Sequence, residues 1–303
     1  MSYLVRRVLA SAVQLWLLSV ATFLLLNLAP GDFYLPASIE LGSSPGTLEQ
    51  LRAQHGLNSS VIARYGRWVS AALHGEFGRS LAYEMPVLPL LRPRITKTLE
   101  IVVPALFLGW CIGGALAIAA VSQGQRAISW IELPSVILSL IPEVIGVSLL
   151  MWLAVGLHLP SITTAWLPIV SLALSLLPMI ILHSTNAMAE ARTLPFVLLA
   201  ARRGIGGTRW WRFYLLPAAA NPLISLAGLS LAGTIGASLL VEVLLGWPGL
   251  GPLFLEAAQT RDYPVVATVV VLLGAVLTIS SLAADLALYR LDPRIRLGNE
   301  NQH

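Results

Sequence analysis

Apolar residues run in six long blocks, roughly 8–29, 98–121, 133–156, 166–188, 219–241 and 264–289, and the stretches between them hold almost all of the charge. Each block is close to the ~20 residues a helix needs to cross a hydrocarbon core. None shows the short alternating pattern of a membrane β-strand. The pattern predicts an all-α membrane protein with six transmembrane helices. Pro104, Pro142, Pro178, Gly233 and Gly236 fall inside the blocks, which membrane helices tolerate because neighbouring groups satisfy the freed backbone. Gly109 and Gly113 are spaced for close packing of the second span on a neighbour. The first block follows Arg6 and Arg7 and exceeds the ~7–15 residues of a signal-peptide core, so it reads as a retained span.

Between the first two blocks lies a long polar segment, 30–97, with helical pattern of its own. Residues 47–57 predict a short helix with Thr47 at its N-cap and Gly56 near its end. Residues 60–74 place Val61, Tyr65, Trp68 and Ala72 near one face, an amphipathic helix lying on the membrane or on the protein. The division is then 1–29 (tail and first span), 30–97 (external segment), 98–289 (a five-helix core containing the cytoplasmic loop 189–216) and 290–303 (tail).

Charge orients this topology. Only 11% of residues are charged, against about 25% in soluble domains, which excludes a water-soluble fold. The net charge of +4 comes from eighteen arginines and one lysine, Lys97. With the N-terminus inside, eleven basic residues face the cytoplasm and one, Arg261, lies in a short outer loop; the long 30–97 segment carries little topological weight. Both termini are therefore expected in the cytoplasm of a bacterial inner-membrane protein, and the basic balance calls for no nucleic acid. Cys111 has no partner for a disulfide and is expected to be a buried, inert thiol.

The densest basic cluster lies in 189–216. Pro195 suits the first turn of a helix, Phe196, Leu199 and Ala200 fall on one side, and Gly204 can end it. Thr208 can cap a second short helix leading to Pro217. Trp210, Trp211 and Tyr214 fit an interfacial aromatic belt. Such a helix, small at its centre and rimmed by Arg202 and Arg203, can sit in a groove of another protein; the alternative is a basic loop that merely fixes topology. Enzymatic chemistry finds no support. There is no phosphate-binding G-x-x-x-x-G-K-[ST], no H-E-x-x-H and no G-x-S-x-G, and His55, His74, His158, His183 and His303 lack metal-ligand spacing. Asn58-Ser59-Ser60 fits a glycosylation triplet. Among ionisable residues in or near spans, Glu100, Glu132 and Glu242 sit at expected interfaces. Asp285 can pair with Arg290. Glu143, after Pro142, either lines a pathway or is a hydrogen-bonded buried acid.

Several stretches together resemble the B-type permease of dipeptide, oligopeptide and nickel ABC importers. They are the Arg6-Arg7 start with its Leu28-Ala-Pro-Gly-Asp32 exit, and the external Gly56-Leu57, Tyr65, Trp68 and Gly75–Ser80. The turns Trp247-Pro248-Gly249-Leu250-Gly251 and Arg261-Asp262-Tyr263-Pro264 and the end Leu291–Arg296 complete the set. The resemblance runs nearly end to end. It implies a type I importer fold and no cofactor in this chain, with ATP and Mg held by partners. Those partners would be two cytoplasmic P-loop ATPases, a second, C-type permease and an extracytoplasmic solute-binding protein. It assigns Glu190, Phe196, Leu199, Ala200, Ala201, Arg202, Arg203 and Gly204, with Pro222 beyond, to coupling with the ATPase. Pro142 and Glu143 are pathway candidates. Trp247, Pro248, Gly249, Gly251, Arg261 and Asp262 are candidates for docking the binding protein. The chain departs from the family at Thr193–Phe196, Pro217-Ala218 and around His183. The expected cargo is a di- or oligopeptide or a nickel or other metal chelate. A self-sufficient secondary transporter or channel would instead show internal repeats and a mid-membrane ion site.

Overall fold

The computed structural model describes residues 3–28, 59–159 and 164–291. The expected helix at 47–57, the exit beyond Leu28, Asn58 of the glycosylation triplet and the tail from 292 lie outside the described residues. Within them there is no strand; one isolated antiparallel bridge joins Arg79 to Pro86. The helices are α1 (Tyr3–Leu28), α2 (Val61–Leu73), α3 (Val87–Gln123), α4 (Gln125–Ser139), α5 (Glu143–Gly156), α6 (Trp166–Thr193), α7 (Pro195–Arg202) and α8 (Gly207–Trp210). A π-helical turn, Trp211–Leu215, leads into α9 (Leu216–Leu245), followed by α10 (Leu250–Thr260) and α11 (Tyr263–Leu291).

Five of these helices are long and apolar enough to cross a membrane, and α4 and α5, bent at their break, pass that test only together. α3 begins at Val87, well before the apolar block. Its 37 residues span about 55 Å at 1.5 Å per residue, so it projects beyond a hydrocarbon core of about 30 Å. The third span is not the continuous helix the apolar run suggests. α4 and α5 meet at 96°. Pro142 has no N–H to continue the ladder; Leu140 and Ile141 fall back on i−3 carbonyls, and the Pro142 carbonyl starts α5 by accepting from Ile145 and Gly146.

α6 is the central helix, packed on α3, α9 and α4, while α11 packs on α9 and α1. The α3–α6 contact is close because Gly113 has no side chain: a Cβ there would lie 2.8 Å from Ile180. One buried cluster, including Ile101, Val147, Leu172 and Trp247, joins α3, α5, α6 and α9. A second, around Val121, Met188, Val197 and Leu215, ties α3, α4 and α6 to the cytoplasmic loop. A third, around Leu91, Leu253 and Val265, closes the opposite end.

The amphipathic helix lies on the protein. α2, capped by the Ser60 hydroxyl, sets Tyr65 against α1, where its phenol shares a 2.8 Å hydrogen bond with Ser19. Phe23 meets the rings of Tyr65 and Trp68. Two expectations fail. Cys111 is exposed on α3 rather than buried, because it lies on the side of α3 away from the packed Gly109–Gly113 face. Asp285 pairs with Arg7 at 3.3 Å rather than with Arg290, since packing of α11 on α1 brings the first helix's charge within reach.

Candidate functional site

At the end of the molecule that carries the 189–216 loop, α6 runs on to Thr193 and exposes Glu190. Leu194 then adopts an extended conformation and Pro195 opens α7. Val197 and Ala200 turn inward and are buried, while Phe196, Leu198 and Leu199 remain 44–48% exposed. Ala200 therefore parts from Phe196 and Leu199, with which the sequence grouped it: its side chain packs on its own protein. The outward edge carries Phe196, Leu199 and Arg203, with Arg202, Ala201 and Gly204 also exposed. Gly204 ends the helix at φ +79, and the Ile205 N–H bonds back to the Ala200 carbonyl, a left-handed cap that favours glycine. The second helix starts at Gly207 after Gly206, without a side-chain cap from Thr208.

Two residues that sequence reasoning treated only as charge and belt hold this loop in place. Arg192 donates to the Val121 carbonyl at 2.5 Å and stacks over Trp210 at 6.0 Å. The Trp210 indole donates to the Val197 carbonyl at 3.3 Å. The ends of α3 and α6, α7 and α8 are thereby linked. No sequence signal marks this brace, because its partners are backbone carbonyls.

Midway along the molecule, the α4–α5 break opens onto a cavity of about 550 Å³ between α5, α6 and α9. Most of its wall is aliphatic; its polar lining is Ser139, Glu143, Ser171, Ser175, His183, Ser230 and Thr234. Ser230 accepts from the Trp110 indole at 3.0 Å and donates to the Ala227 carbonyl. Thr234 donates to the Ser230 carbonyl. In contrast, Glu143 Oε1 and Ser171 Oγ are shielded from solvent without a hydrogen-bond partner. Pro142 places Glu143 here by forcing the break, so the two pathway candidates act at one point.

The opposite end is built around Glu242, placed at an interface by the sequence yet fully buried. Its Oε2 accepts from the Gly251 N–H at 2.6 Å, at the start of α10. A Cβ at Gly249 would collide with the same carboxylate, and one at Gly251 with the Leu239 carbonyl. Thr98 accepts from the Leu250 N–H at 3.0 Å, and the Trp247 indole donates to the Lys97 carbonyl at 2.8 Å. Nearby, Asp262 is 1% exposed; it accepts from the Ser80 hydroxyl at 2.5 Å and the Ala82 N–H at 3.1 Å. Tyr83 donates to Glu256 at 2.8 Å, and this bond, foremost, raises the phenol above its ordinary pKa of 10.0. Of the docking candidates, Trp247, Gly249, Gly251 and Asp262 are buried supports of the turns, Arg261 is half-buried and Pro248 is exposed.

Helical spans around a bent helix pair, a braced loop helix at one end and a structured turn at the other define a helical membrane protein. Residues 105–297 match the family described as the binding-protein-dependent transport system inner membrane component, and residues 1–100 match the N-terminal region of such membrane components. The chain belongs to this family. It is 28% identical to a probable peptide ABC transporter permease of Sinorhizobium fredii, over 97% of this chain and 99% of that protein. It is 27% identical to the oligopeptide transport system permease OppB of Salmonella typhimurium, over 98% and 99%. With the nickel import system permease NikB of Staphylococcus aureus it shares 28% identity over 97% and 92%. Among solved structures, the MetNI methionine ABC transporter in inward-facing conformations shares the fold, with a TM-score of 0.55 and 24% identity over 68% of this chain and 97% of that one.

Proposed function

We propose that this chain is the B-type half of an ATP-driven importer for short peptides, with metal chelates as the alternative cargo. It is a non-catalytic subunit with both termini in the cytoplasm. The observation that carries the reading is the outward edge of α7, where Phe196 and Leu199 stand exposed beside Arg202 and Arg203 while Val197 and Ala200 anchor the helix to the core. A basic-rimmed apolar edge on a rigid mount suits a groove on a cytoplasmic ATPase. Two such ATPases bind ATP and Mg, hydrolyse the nucleotide and, by closing, move the mount. That drives the alternation between inward- and outward-facing states. A second, C-type permease completes the pathway, of which Pro142, Glu143 and the cavity form this chain's wall. A solute-binding protein docks outside on the surface that includes Pro248 and Arg261.

Purification of the tagged chain from its native membrane in mild detergent should recover a second six-span subunit and P-loop ATPases. Leu199→Glu should keep the second permease and lose the ATPases; Gly204→Arg, at a left-handed position, also strains the loop and is the less clean probe. Recovery of the chain alone, or undiminished ATPase recovery with Leu199→Glu, would refute the reading.

A further inference from the structure

The cavity at the α4–α5 break holds a carboxyl group that faces no fixed positive charge. Its lining includes no Arg or Lys, and its ionisable residues are Glu143 and His183. Glu143 Oε1 is out of solvent and unpartnered, and so is the hydroxyl of Ser171, a residue 2% exposed on the facing helix α6. Ser175, one turn from Ser171, lies in the same wall; its hydroxyl is 3.0 Å from the Ser171 carbonyl and also interacts with the Glu143 carboxyl group. Leaving a carboxylate and a hydroxyl shielded without partners is costly in a low-dielectric site, and an ionisable group inside a membrane protein marks a pathway or binding function by default. Most of the remaining wall is aliphatic, and Ser139, Ser230 and Thr234 already donate their hydroxyls to backbone carbonyls of their own helices. The volume of about 550 Å³ falls in the range of small-ligand sites.

Resting on the permease reading above, we infer that Glu143 and Ser171 form a way-station in the pathway for the ammonium-type cationic group of the transported solute. The carboxylate attracts the positive charge and the Ser171 oxygen accepts a hydrogen bond from it. An anionic solute of the same size is repelled at this point. The selection is made inside the permease wall and so adds to whatever discrimination occurs before the solute enters.

The test needs no knowledge of the natural cargo. In the detergent-purified, assembled transporter with Cys111→Ala, a Ser171→Cys variant is labelled by two thiosulfonate reagents of similar size, one carrying a trimethylammonium and the other a sulfonate. The cationic reagent should react at least about tenfold faster than the anionic one after correction for their rates with a free thiol. Adding Glu143→Gln, which keeps the shape, should bring the two corrected rates together, and Glu143→Asp should retain most of the difference. Equal rates with Glu143 present, or a preference that survives Glu143→Gln, would overturn the way-station while leaving the pathway reading in place. No reaction with either reagent, with the complex intact, would overturn both.

Discussion

Glu242 illustrates how one side chain can support an entire turn. An acid in the last turns of a long apolar helix is poor sequence, and its position beside the external loop suggests an exposed group. Instead it is buried and accepts from the Gly251 N–H in the first turn of α10, where a negative charge is also favoured by the helix dipole. Gly249 and Gly251 are required because the carboxylate and the Leu239 carbonyl occupy the space their side chains would fill. Glu242→Ala should therefore lower the melting temperature of the purified complex, leaving a buried donor unsatisfied at a cost of about 1–3 kcal/mol. Gly251→Ala should be worse tolerated than Gly233→Ala, where a Cβ meets nothing within 4 Å. Equal melting temperatures for the two alanine variants would contradict this account of the turn.

Among the elements, α3 and α6 form the spine, and their approach depends on one face of α3. Gly113 touches Ile180 directly, whereas a Cβ on its neighbour Gly114 meets open space. Gly113→Leu should cost about 1–3 kcal/mol through overpacking, read as a lower melting temperature. Gly114→Leu should be neutral or slightly stabilising, given the better helix propensity of leucine. The spacing of Gly109 and Gly113 made this contact legible. The brace of Arg192 and Trp210 was not, since nothing in a side chain's identity announces that it will reach a backbone carbonyl 71 positions away. The separation of Ala200 from Phe196 and Leu199 was hidden for a related reason: on a helix this short, the core that claims one face is supplied by other elements.

At the scale of the whole molecule, the external segment and the α10 loop are stitched across more than 170 positions by Ser80 to Asp262 and Tyr83 to Glu256. The second link carries a pH signature. The neutral phenol donates to the carboxylate, so the raised pKa means that the bond is present below pH 10 and lost as pH climbs through the elevated value. In an ultraviolet titration, the component removed by Tyr83→Phe should ionise above the ordinary tyrosine range, and Glu256→Gln should return it toward that range. A Tyr83 component titrating normally in the unaltered protein would mean that the two parts are not joined there.

Run length, a local property, determined that the chain spans a membrane five or six times with its arginines kept to the ends of the spans and the loops; the cost of burying charge and unpaired backbone allows little else. Pro195 and Gly204 likewise marked the ends of α7 from their own backbone preferences. Tertiary structure alone decided that the third span breaks by 96° at Pro142. Other prolines, Pro104 and Pro178, ride inside unbroken helices, so the residue by itself does not specify a break. It alone brought Glu143 to a cavity shared with α6 and α9, enclosed Glu242, exposed Cys111 and paired Asp285 with Arg7. Each of these depends on which helix lies beside which, and that is fixed by long-range packing rather than by any stretch of neighbouring residues.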